Sequence, residues 1–111
     1  MAYLRIVAAA TLLTLSGCSS QGEEHTVTYE VSGQETAEVA YVNDRAELVK
    51  GQVVALPWKH SVKVPAGRFV SVLTNGAGDG ALVCVIKVDG VQVVTQRSGD
   101  VPVVRCDTTI K

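Results

Sequence analysis

Three cysteines and two histidines are the residues of this chain best suited to chemistry at neutral pH. Cys18 ends the run Leu15-Ser16-Gly17-Cys18. Small residues ahead of a cysteine fit a signal peptidase, and the thiol forms a thioether with diacylglycerol. The run therefore matches the bacterial lipobox; the competing reading is an ordinary secretory signal with a chance cysteine. Two or three acyl chains on one residue, palmitate among them, anchor stably, where a single chain is marginal. Lipidation of Cys18 turns an odd cysteine count into an even one and leaves Cys84 and Cys106. Export places that pair in an oxidising compartment, so a structural disulfide is expected. Closing a loop of that length contributes about 3 kcal/mol in the chain-entropy account. A redox or metal pair is the alternative, but there is no Cys-x-x-Cys and both histidines lie far off in sequence.

The other polar groups suggest little. Asn75 to Gly80 (NGAGDG) resembles a phosphate-binding loop only in its glycines. A phosphate cradle needs a helix start behind it, and here a strand follows, so a mobile hairpin loop is expected. Asn75 and Asp79 offer too few oxygens for calcium, which takes about 6–8. His25 beside Glu23 and Glu24 reads as a solvated histidine on a tether, with weak metal binding as the alternative. His60 has no partner in the local sequence. No nucleophile-base pair, metal set or cofactor site emerges, and the chain reads as a non-enzyme.

These residues must be positioned by a secreted all-β domain. Arg5 and the ten-residue, mostly apolar run Ile6 to Leu15 make a signal peptide over residues 1–17. The apolar run is too short to span a bilayer, which takes about 20 residues of helix. Residues 18–24 form the lipidated cysteine and a polar tether, and residues 25–111 the folded domain. Removing residues 1–17 takes Arg5 and no acid, which moves the formal charge from −1 to −2. Neither value, nor any charge run, suggests nucleic-acid binding.

Inside the domain the apolar residues alternate with period two, as half-buried strands require. His25 to Ser32 puts Val27, Tyr29 and Val31 on one face, and Glu38 to Val42 does the same with Val39 and Tyr41. Ala46 to Lys50 is ambiguous, with a helical turn as one option. Gln52 to Trp58 is a strand that ends, or lies at an edge, at Pro57. Ser61 to Val64, Phe69 to Thr74 and Val101 to Cys106 are further strands. Ala81 to Gln96 reads as a hairpin about Asp89-Gly90, a dipeptide suited to a two-residue turn with positive φ. That turn predicts Val88 facing Val91, Ile86 facing Val93 and Cys84 facing Thr95, all toward the core. Seven to eight short antiparallel strands with regular turns predict a small immunoglobulin-like β-sandwich.

Two features point to a surface. Trp58 fits either the core or a partner-binding anchor, since Trp is enriched in interface hot spots. The doublets Val53-Val54, Val93-Val94 and Val103-Val104 place apolar groups on both faces of their strands. A bulge or irregular burial would explain them, and so would an apolar docking face.

Four segments in order carry a family resemblance: Tyr29-Glu30-Val31-Ser32-Gly33, Ala55-Leu56-Pro57-Trp58, Cys84-Val85-Ile86-Lys87-Val88-Asp89-Gly90, and Cys106. Together they resemble the MmpS family, small mycobacterial membrane proteins that accompany MmpL transporters. The resemblance covers nearly the whole mature domain. It implies an accessory role beside a proton-driven RND exporter of lipids, siderophores or drugs, and brings no catalytic residues. The family's pattern begins with a membrane-spanning helix. Here a lipobox stands in its place, which keeps the domain at the outer face of the cytoplasmic membrane, anchored through Cys18. The alternative is a stand-alone envelope lipoprotein whose sandwich binds a lipid, a cell-wall component or a host ligand.

Overall fold

The computed structural model describes residues 23–111; the signal peptide, the lipobox and Cys18 lie outside the described residues. Alternation drives the first strand, β1 (Glu24–Ser32). Its β-branched and aromatic residues at every second position bury Val27, Tyr29 and Val31, while Thr28 and Glu30 face outward. Seven further strands follow: β2 (Thr36–Val42), β3 (Leu48–Ala55), β4 (Trp58–Pro65), β5 (Phe69–Asn75), β6 (Val83–Val88), β7 (Val91–Arg97) and β8 (Val103–Thr109). Every pairing is antiparallel.

The strands form two four-stranded sheets, β4-β1-β6-β7 and β3-β2-β5-β8, whose inner faces share one apolar core. This is the expected all-β sandwich. The strand order is not that of immunoglobulin constant domains, so the likeness lies in the architecture and a cross-sheet disulfide. Cys84 on β6 of the first sheet is bonded to Cys106 on β8 of the second, with Cα atoms 6.0 Å apart. The core is mostly valine. Its one large polar member, Tyr29, donates its hydroxyl hydrogen to the Val42 carbonyl at 2.7 Å, which satisfies the buried oxygen.

The connections correct several expectations. No helical turn forms at Ala46 to Lys50. Asn43 Oδ1 accepts from the backbone N–H groups of Arg45 (2.9 Å) and Glu47 (3.0 Å), and β3 starts directly afterwards at Leu48. An asparagine side chain imitating a backbone turn explains this. The segment Gln52 to Trp58 is two strands. The chain leaves edge strand β3 at Ala55, passes the cis Leu56-Pro57 peptide, and begins β4, an edge of the other sheet, at Trp58. The last strand runs later than expected, from Val103 to Thr109.

The hairpin turn is as predicted at its tip. Asp89 and Gly90 have φ of 51° and 85°, and Val88 pairs with Val91. Beyond the tip the register differs. A bulge places two residues of β7 against one of β6, so Ile86 faces Val94 and Cys84 faces Gln96. Val94 packs against the core, whereas Val91, Val93 and Thr95 are exposed. Bulges are a common protection of edge strands, because they disrupt the open ladder.

Candidate functional site

The residues with chemical potential are dispersed and engaged locally. His25 lies in β1, not on a free tether, and its Nδ1 sits 2.6 Å from Asp89 Oδ2. The other Asp89 oxygen accepts from the Thr26 N–H at 2.9 Å. These hydrogen bonds, the His25 one foremost, hold the Asp89 carboxyl below its ordinary range. The contact fastens the hairpin tip to β1 across 64 positions of sequence, which no local pattern reveals. Among the described residues no group of three His, Cys, Asp or Glu side chains gathers to hold a metal.

The glycine loop after β5 is pinned by one side chain. Gln34 Nε2 donates to the carbonyls of Gly78 (3.0 Å) and Gly80 (2.7 Å), and Gln34 Oε1 accepts from the Gly78 N–H (3.1 Å). The loop therefore spends these polar groups on its own protein, a contact with Gln34 that the local sequence does not reveal.

Trp58 sits at the edge of the core. It is half-buried, with its ring 5.7 Å from Tyr41 and stacked on His60 at 5.9 Å. Tyr41 in turn packs on His60 and on Tyr29. Tilted aromatic pairs at such distances are favourable beyond their buried area. His60 thus has partners after all, supplied by β2 and by the residue two before it. Trp58 also borders a shallow groove of about 340 Å³ with Glu30, Pro57 and Val85.

The two outer faces of the sandwich differ in kind. On the first sheet, β1, β4 and β6 present Thr28, Ser61, Glu30, Lys59 and Lys87. Thr28 and Ser61 hydroxyls are hydrogen bonded at 2.9 Å, and Lys87 Nζ lies 3.1 Å from Glu30 Oε2. That face is wet. On the second sheet one row across the strands reads Val53, Glu38, Asn75, Val103, and the next includes Ala40, Leu73 and Arg105. Leu48 beside Val42, and Phe69 beside Thr109, complete the face. Five large apolar side chains are exposed there, with Val53 the most open at 74%. Its charges are largely internal: Arg105 Nε lies 2.9 Å from Asp107 Oδ2, and Asn75 Nδ2 donates to Glu38 Oε1 at 3.0 Å. Two of the three valine doublets therefore send their outward member to this face, and the third is the bulge.

A family model described as Mycobacterium membrane protein matches residues 11–106, from within the N-terminal apolar run to the second disulfide cysteine. No curated protein matches the chain. Among the described residues no helix is long and apolar enough to cross a membrane.

Proposed function

Because the chain belongs to the MmpS-type family of Mycobacterium membrane proteins, we propose that it is a non-enzymatic accessory lipoprotein of an RND-type, MmpL-like exporter. Cys18 carries the lipid anchor and the domain stands at the outer face of the cytoplasmic membrane. The observation that carries the reading is the asymmetry of the sandwich. The outer face of the second sheet exposes Val53, Leu73 and Val103 among polar groups that bond to one another, opposite a polar face on the first sheet, and exposed apolar side chains grouped on one face of a small domain mark an interaction surface. The partner is the extracytoplasmic part of the exporter, whose substrates are lipids, siderophores or drugs.

A stand-alone envelope lipoprotein is the second reading. It is favoured by the apolar N-terminal run of only ten residues, which would leave no membrane-spanning helix to meet a transporter within the bilayer. Crosslinking of the lipidated full chain in native membranes separates the two. Recovery of a multi-span transporter on the outer face of the second sheet supports the accessory reading. Recovery of lipid or cell-wall material without a transporter overturns it. In the same membranes Cys18→Ser should abolish lipid labelling and release the protein; unchanged fractionation would refute the anchor.

A further inference from the structure

The end of the sandwich nearest the chain's approach from Cys18 carries exposed apolar side chains at the first strand position after three separate turns. Leu48 follows the Asn43–Glu47 turn, Phe69 the turn after Pro65, and Val91 the Asp89-Gly90 turn; they are 68%, 54% and 65% exposed. Pairing and backbone bonds place these turns around the start of β1. Glu24 pairs with Pro65, the Ala66 N–H donates to the Glu23 carbonyl, and the Asp89 N–H donates to the Thr26 carbonyl. Arg68 Nη1 reaches the Asp44 carbonyl at 3.5 Å, which ties the Asn43 turn to the same end. The opposite end is formed by Gly33 to Glu35, the glycine loop and Ser98 to Pro102. By the same measure that end exposes two large apolar side chains, Val101 on its turn and Val103 at the first position of β8, both on one connection rather than three.

Tether length decides which end meets lipid. Six residue steps separate Cys18 from Glu24, a reach of roughly 20 Å at full extension. The strands are 7 to 9 residues long along most of the sandwich, or roughly 23–30 Å at about 3.3 Å per residue. The tether is shorter than the domain, so the near end stays beside the bilayer in any upright arrangement. We propose that this end rests on the lipid surface, with Leu48, Phe69 and Val91 entering the boundary between headgroups and acyl chains. The inference builds on the Cys18 anchor proposed above. The charges here are mixed: Arg45 is paired with Glu47 at 3.6 Å and His25 with Asp89, and Glu23, Glu24 and Asp44 accompany Lys63, Arg68 and Lys111. The contact is therefore apolar, and salt does not weaken it.

The test uses the lipidated full chain in phosphatidylcholine vesicles, labelled with an environment-sensitive fluorophore through Phe69→Cys, Val91→Cys or, at the far end, Ala77→Cys. All three positions are exposed, so the fold tolerates them. The expected result is blue-shifted emission and several-fold weaker iodide quenching at 69 and 91 than at 77, unchanged by added salt. Equal quenching at all three positions in protein that floats with the vesicles overturns the contact. Loss of protection with added salt overturns its apolar character. Protein that neither floats nor carries lipid on Cys18 removes the anchor itself, a different failure that overturns the inference by taking away its premise.

Discussion

Tyr29 shows how one side chain can set a pH limit on the whole domain. Its ring is fully buried between the sheets and its hydroxyl donates to the Val42 carbonyl. Burial pushes the phenol up to about 12, because the charged form would lose its hydration. The folded state thus holds the proton more tightly than the unfolded chain, whose tyrosines release it near their ordinary value of about 10. By linkage the stabilisation is complete below that value and is lost as pH rises toward 12. Thermal melting between pH 9 and pH 12 should show this as a steepening fall in Tm. Tyr29→Phe should flatten that part of the curve while costing about 1 kcal/mol at neutral pH for the lost hydrogen bond. An unchanged alkaline slope in the variant would remove Tyr29 from the explanation. Asp89 has the opposite sign: its depressed carboxyl supports the fold at neutral pH and ceases to do so as pH falls through its folded value.

At the scale of elements, the bulge in β7 is the feature that decides which valine supports the core. Val94 packs inward opposite Ile86, and Val93 is half-exposed. Val94→Ala should lower stability by about 1 kcal/mol, since two carbons leave a partly buried site. Val93→Ala should stay within about 0.5 kcal/mol, as surface changes do. Denaturant midpoints check this, and the reverse ranking would restore the bulge-free register. The sequence revealed β1 through its clean alternation and β6 through its β-branched apolar run, both central strands, and it revealed the turn because Asp-Gly favours positive φ locally. It did not reveal the bulge, since edge strand β7 has one pairing neighbour and its register depends on tertiary packing. The same limit hid His25–Asp89 and Gln34–Gly80, which join residues far apart in the chain. The valine doublets marked apolar groups on both faces, but the face they share appears only once β3 and β8 are known to lie in one sheet.

The described domain is a two-sheet plate with unlike sides. The Cys84–Cys106 bond ties the central strand β6 of one sheet to the edge strand β8 of the other, so the outer faces keep a fixed relation. In the arrangement proposed above, a short lipid tether would hold one end near the bilayer and leave both faces open to the side, where a membrane protein would stand. Docking through the second sheet requires Val53 and Val103, which lie in one row on either side of Glu38 and Asn75. Both are exposed and neither is needed for the core, whose corresponding members are Val54 and Val104. Val53→Lys with Val103→Lys should therefore shift the unfolding midpoint by no more than about 0.5 kcal/mol per site. The same pair should abolish crosslinking to the transporter, because an ammonium forced into an apolar interface loses its hydration. Ser61→Lys on the opposite face should leave crosslinking intact. If the double variant crosslinks as well as the native chain while both melt alike, the second sheet is not the docking face. If Ser61→Lys alone abolishes the crosslink, the contact belongs to the polar side of the plate.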